Sequence, residues 1–293
     1  MKKTDEQIAI QVSVNTIIGN AVLSSFKLAA GIFGRSHALI SDAVHSLSDV
    51  LSTIIVMIGV KLANKKADKE HPYGHERFEC VAALVLSIVL FATGAGIGWA
   101  GIERIMEHTY EVIATPGLLA LIAAIISIAV KEGMYWYTRI AAKKIDSGAL
   151  MADAWHHRSD ALSSIGSLAG VLGARLGFPI FDPIASVVIC LFIIKVAFDI
   201  FRDAIGKMTD KSADGKTEEE MCKIILDQKS VLGIDLLTTR LFGNKIYVDV
   251  EICVDGTKAL NEAHDIAQHV HDVIESNFPK VKHCTVHINP SGK

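Results

Sequence analysis

The sequence predicts an α-helical polytopic membrane protein with six transmembrane helices, followed by a C-terminal cytoplasmic α+β domain of αββαβ order. Three observations carry that reading. Of the 293 residues, 51% are hydrophobic, and up to about residue 201 they fall in runs long enough to cross a bilayer, which takes about 20 residues per helix. Positive charge gathers in alternate connections between those runs. After about Lys207 the pattern changes to short segments of alternating polarity, the period of half-buried strands.

The first apolar run covers about residues 12–33 and carries Asn20 and Lys27 on one helical face. Gly34, Arg35 and Ser36 interrupt it, and a second run covers about residues 38–63. A charged connection follows, with a turn signal at Pro72, Tyr73 and Gly74. The third run, about 78–105, is rich in small residues, among them Gly94, Gly98 and Gly101. Such residues let helix backbones approach closely in lipid. Pro116 stands near the start of the fourth run, about 115–137, which holds Lys131 and Glu132. Arg139, Lys143 and Lys144 form a basic connection to the fifth run, about 147–176. Gly177, Phe178 and Pro179 turn the chain into the sixth, about 182–201. Lys27, Lys131 and Glu132 read as structural or interfacial charges, some snorkelling to the bilayer surface.

Basic residues cluster at Lys2 and Lys3, at Lys65, Lys66, Lys69 and Arg77, and at Arg139, Lys143 and Lys144. The positive-inside rule then puts both termini in the cytoplasm. The division falls at residues 1–207 for the membrane domain and 208–293 for the soluble one. In the latter, a helix is expected over 217–227 from a T-x-x-E start, and a strand over 232–241. A second strand follows Gly243 and Asn244, with Ile246, Val248, Val250 and Ile252 on one face. A helix over 260–278 and a strand over 281–288 complete the order, and His283, Thr285 and His287 share one face of that strand.

Composition removes several classes. A formal net charge of −3 is not that of a strongly basic nucleic-acid binder. The 5 cysteines are scattered with no C-x-x-C pair, which argues against a disulfide framework or a thiolate cluster and suits a reducing compartment. The N-terminal residues have no apolar core behind their lysines, so no cleaved signal peptide is expected.

The chemistry lies in a repeat. Residues 42–52 read D-A-V-H-S-L-S-D-V-L-S and residues 153–163 read D-A-W-H-H-R-S-D-A-L-S. Positions three and seven residues after the first fall within about 60° of it on a helix, so each copy makes one polar stripe inside an apolar run. Ionisable residues within spans are expensive and functional by default. His45 with Asp49, and His156 with Asp160, each offer an imidazole and a carboxylate one turn apart. Together they make four nitrogen and oxygen ligands, a set that suits tetrahedral Zn²⁺. Asp42 and Asp153 are expected in supporting positions or at the cavity mouth, and His157 points about 100° away. In the loop after the second run, Asp68, His71 and His75 form a D-x-x-H-x-x-x-H cluster, which is also metal-binding chemistry.

Six spans, H-x-x-x-D in the second and fifth, and a soluble αββαβ domain resemble the cation diffusion facilitator family of divalent-metal/proton antiporters. The resemblance implies efflux of Zn²⁺ from the cytoplasm in exchange for protons, by a homodimer in the plasma (inner) membrane, with no organic cofactor. It implies a peripheral site at Asp68, His71 and His75. It also implies a ferredoxin-like metal-binding and dimerisation domain, with Asp249, His264 and His287 as ligands. Asp235 and Asp249 stand where the family often has histidines, and Asn289 where an acid is common. His269 and His271 read as helix surface. Proton exchange suits histidine, whose unperturbed pKa is about 6.5. The alternatives are efflux of Fe²⁺, Mn²⁺ or Co²⁺/Cd²⁺, or a metal-sensing membrane protein with little transport. An enzyme is not expected: H-E-x-x-H is absent, and four ligands leave no open position for water.

Overall fold

The computed structural model describes residues 4–33, 37–107, 118–175 and 180–291. They divide into two compact units, 1–204 and 205–293. The first consists of long helices: α1 (Asp5–Phe33), α2 (His37–Ala63), α3 (Arg77–Met106), α4 (Leu118–Ile145), α5 (Gly148–Arg175) and α6 (Phe181–Met208), which runs past the division. Their lengths are 27 to 30 residues, or about 40–45 Å at 1.5 Å per residue, more than the roughly 30 Å hydrocarbon thickness of a bilayer.

These helices carry large apolar side chains outward, and on α1 the buried face is largely polar. On α1, Ser13, Thr16, Asn20, Ser24 and Lys27 are buried at helical spacing, while Ile18 and Val22 are exposed. Leu51, Ile88, Trp99, Leu191 and Phe198 are likewise exposed on α2, α3 and α6. That arrangement fits lipid as the surrounding solvent, where backbone groups are satisfied within each helix. α5 is central, packing against α4, α3 and α2. One apolar cluster joins the start of α1 (Ala9, Val12), the end of α2 (Val56, Val60), the start of α3 (Ala82, Leu86), the end of α4 (Ala142, Ile145) and the start of α5 (Ala149, Leu150). Consecutive helices are therefore antiparallel, and the basic 2–3 and 4–5 connections share one end of the bundle.

Small residues on α3 meet α6. A Cβ at Gly94 would stand 2.9 Å from Ile193 Cγ2, one at Gly101 would stand 2.9 Å from the Pro183 carbonyl oxygen, and one at Gly98 would overlap Cys190. The close approach expected of small residues in spans is present here. α4 is longer than the sequence reading gave it: Arg139, Lys143 and Lys144 continue the helix to Ile145, and Asp146, at φ 54°, ends it.

The second unit has the order α7 (Gly215–Leu226), β1 (Gly233–Phe242), β2 (Lys245–Val254), α8 (Leu260–Asn277) and β3 (Val281–Pro290). The sheet order is β1-β2-β3, with β1 antiparallel and β3 parallel to β2. Ile246, Val248, Val250 and Ile252 form a core with Met221 and Ile225 of α7 and Val270 and Ile274 of α8. Gly243, at φ 63°, makes the β1–β2 turn. The cap of α7 is Asp214 and not the T-x-x-E start: its side chain accepts from the backbone N–H of Thr217. An aspartate at the N-cap satisfies an otherwise unpaired helix donor, and those hydrogen bonds from Thr217 hold its carboxyl below the usual range.

Candidate metal centre

Three of the four residues singled out by the repeat converge between α2 and α5. Asp49, His156 and Asp160 are buried, and ligand atoms from each lie within 4.8 Å of one another. His156 Nε2 lies 3.4 Å from Asp49 Oδ1, but neither ring nitrogen of His156 makes a hydrogen bond. In the neutral ring one of these nitrogens carries a lone pair, and a buried lone pair beside two carboxylates is what a metal cation satisfies. Asp42 and His45 lie on the same helix as Asp49; their side chains are outside the described residues.

Lys131 of α4 is a member of this cluster, not an interfacial charge. Its ammonium is 2.5 Å from Asp49 Oδ2 and 3.0 Å from Asp160 Oδ2. It is 2% exposed, far too buried to snorkel. Two carboxylates and one ammonium leave the cluster with a formal charge of −1 when His156 is neutral. Lys27 is also buried and donates to Ser46 Oγ at 2.9 Å. Lys27, Ser46, Asp49, Ser127, Lys131 and Asp160 border a cavity of about 190 Å³. The sequence did hold a signal for Lys131, because an unneutralised lysine in mid-span needs a carboxylate partner.

Asp153 is buried rather than at a cavity mouth. Its Oδ1 accepts from Thr53 Oγ1 of α2 at 3.1 Å, and its Oδ2 lies 3.6 Å from His157 Nε2. His157 is fully buried too. It faces Asp153 instead of the Asp49 cluster. On the outer side of the α4–α5 contact, Arg158 lies 3.6 Å from Glu132 and over the Tyr135 ring at 4.4 Å.

The loop cluster is also assembled. Asp68 Oδ2 is 3.4 Å from His75 Nε2, and Asp68 Oδ1 is 3.8 Å from His71 Nδ1. His75 is buried and stacks on Phe78 with centroids 5.9 Å apart. Gly74, at φ 101°, permits the turn that brings the two imidazoles together. Lys65 donates to Asp68 at 2.7 Å and the His71 backbone N–H at 2.8 Å. These bonds, Lys65 first, hold the Asp68 carboxyl well below its ordinary range.

In the soluble unit Asp249, His264 and His287 are exposed, and among the described residues they do not form a metal-ligating group within one chain. Asp249 and His287 lie on the sheet face opposite the core, where β2–β3 register pairs Asp249 with Thr285 and Glu251 with His287. His264 lies on α8, which packs on the core face. Asn289 donates to Asp235 at 2.8 Å and to Glu251 at 3.1 Å. His283 also meets Glu275 of α8, as described below.

A helical bundle apolar towards its surroundings, with a buried carboxylate–imidazole cluster and a separate α+β unit, defines a polytopic membrane protein with a charged site among its helices. Comparison with known proteins agrees. Residues 14–208 match the cation efflux transmembrane domain, and residues 213–291 match the cytoplasmic domain of cation efflux proteins. The chain is 39% identical to an uncharacterized transporter of Methanocaldococcus jannaschii, over 94% of this chain and 95% of that one. It is 30% identical to the manganese efflux system protein MneP of Bacillus subtilis, over 99% of both. Against metal tolerance protein C1 of Arabidopsis thaliana the identity is 36% over 92% of this chain, which spans 60% of that protein's length. The chain belongs to the cation diffusion facilitator family, whose members are transporters that carry out divalent metal cation efflux.

Proposed function

We propose that the protein exports Zn²⁺ from the cytoplasm in exchange for protons, through a site made by His45, Asp49, His156 and Asp160. The observation that carries this reading is the buried convergence of Asp49, His156 and Asp160 on one point. Two imidazoles and two carboxylates favour Zn²⁺ over harder ions such as Mn²⁺, which prefer all-oxygen surroundings. Efflux of Mn²⁺ is the second reading, favoured by the likeness to the manganese efflux protein. Lys131 serves as a tethered counter-ion: its ammonium neutralises Asp49 and Asp160 in the absence of metal and withdraws when the divalent ion arrives. Metal binding needs neutral imidazole and ionised carboxylate, so protons compete for the same site.

The protein works as a homodimer in the plasma membrane, with both termini and the soluble unit cytoplasmic. The shared end of the bundle that carries Lys65, Lys66, Arg139, Lys143 and Lys144 supports that orientation. Asp68, His71 and His75 hold a second cytoplasmic ion, and Asp249, His264 and His287 contribute ligands across the dimer. Purified protein in liposomes, tested against Zn²⁺, Mn²⁺, Fe²⁺, Co²⁺ and Cd²⁺ with and without a pH gradient, decides among these readings. Proton-driven Zn²⁺ transport that is abolished in Asp49→Ala and in His156→Ala is expected. Undiminished transport by either variant overturns the site, and transport indifferent to the gradient overturns the exchange.

A further inference from the structure

His271 and Glu275 lie one turn apart on α8, and the edge strand β3 brings His283 against both. His271 Nε2 is 3.3 Å from Glu275 Oε1, and His283 Nδ1 is 3.3 Å from the same oxygen. The two rings stand at 70° with centroids 5.4 Å apart. Ligand atoms of the three residues all fall within 4.8 Å of one another.

The other side of the His271 ring is held by the strand. Its Nδ1 lies 2.6 Å from the backbone carbonyl oxygen of Cys284. A carbonyl only accepts, so Nδ1 carries the hydrogen, and in the neutral ring the lone pair sits on Nε2, aimed at the carboxylate. Lone pair facing carboxylate is repulsive unless a proton or a metal ion stands between them. The carboxylate is fixed as well, since Glu275 Oε1 accepts from the Cys284 backbone N–H at 3.1 Å. Imidazole held through its far nitrogen by a backbone carbonyl is the usual support of a metal-ligating histidine. The His283 side chain is 56% exposed, so the cluster opens to solvent and leaves room for a water ligand.

We propose that His271, Glu275 and His283 bind one divalent transition-metal ion of Zn²⁺ type in each chain, separately from the buried cluster, the loop cluster and Asp249, His264 and His287. Two imidazoles and a carboxylate with an open position suit Zn²⁺, and Co²⁺ reports the same geometry by its visible spectrum. Such an ion would tie the end of α8 to the edge of the sheet and couple the rigidity of the soluble unit to the surrounding metal.

The test is Co²⁺ titration of untagged full-length protein in detergent, followed by visible absorption and by bound-metal analysis. Glu275→Gln and His283→Ala are each expected to bind one ion fewer per chain than the parent. The same stoichiometry in both variants overturns the proposal. A protonated His271 paired with Glu275, with no metal involved, also predicts equal stoichiometry and a lower metal-free melting midpoint for Glu275→Gln; that result overturns it too. If Glu275→Gln does not fold, the exposed His283→Ala decides alone.

Discussion

Replacing Lys131 by methionine removes the ammonium from between Asp49 and Asp160 while keeping most of the side-chain volume. At the observed 2.5 and 3.0 Å, each charge pair attracts by roughly 5–7 kcal/mol at an effective dielectric constant of about 20. Desolvation of the ammonium offsets much of that attraction, and breaking a buried pair by deleting one partner costs about 3–5 kcal/mol. Metal-free Lys131→Met is therefore destabilised by that amount. A divalent cation relieves the two carboxylates that the substitution leaves unpaired, so the variant binds Zn²⁺ about tenfold or more tightly than the parent, equivalent to roughly 1.4 kcal/mol. It also releases Zn²⁺ more slowly. Lys131→Arg keeps the charge and behaves closer to the parent. The assay is thermal unfolding in detergent across a Zn²⁺ series, with transport measured in liposomes. A Lys131→Met protein with the parent's metal-free midpoint and Zn²⁺ affinity would refute the counter-ion argument.

Asp68 is depressed in the folded loop, so its pairing is present above the ordinary carboxylate pKa of about 4 and is lost only as pH falls through the lower folded value. Asp68→Asn should thus weaken loop metal binding about tenfold or more at pH 7, as read by equilibrium dialysis; unchanged binding counts against the assignment. Burial, with Glu275 and Asp249 nearby, pushes the Cys284 thiol up to about 12, so maleimide at pH 8 should label half-buried Cys222 and Cys253 well before Cys284, by mass spectrometry of native protein. Gly98→Ala drives a methyl into Cys190 across the α3–α6 contact, and a loss of about 1–3 kcal/mol is expected in detergent unfolding; an unchanged midpoint would mean the helices separate without strain.

The doubled stretch made Asp49, His156 and Asp160 legible because helical spacing and burial in apolar runs are both sequence properties. Lys131 was legible only as a charge in need of a partner, because nothing on α4 says which helices it faces; helix packing brings it to Asp49 of α2 and Asp160 of α5. The same limit applied to His157, whose 100° offset is real but leads to buried Asp153 rather than to solvent. In the soluble unit, alternation predicted the faces of β2. It put His283 on the face of Thr285 and His287, where the register keeps it opposite Tyr247, but it could not foresee that the side chain meets Glu275 of α8. His271 read as helix surface because the residue that meets its ring, His283, comes from another element. The cap of α7 fell on Asp214 because the helix starts earlier than its capping-box signature.

The inverted polarity of α1, with Asn20 and Lys27 inside and Ile18 and Val22 outside, has a calorimetric consequence. A large heat-capacity increase on unfolding comes from apolar groups entering water. In a micelle or bilayer the outward side chains of α1–α6 stay among hydrocarbon chains whether or not the helices are packed. The six-helix unit should then unfold with a small heat-capacity change and a nearly linear loss of stability with temperature. The soluble unit, whose core of Val248, Ile252, Met221 and Ile274 does enter water, should show the curved profile of an ordinary globular domain. Heating and cooling would thus act on the two halves of one chain by different laws.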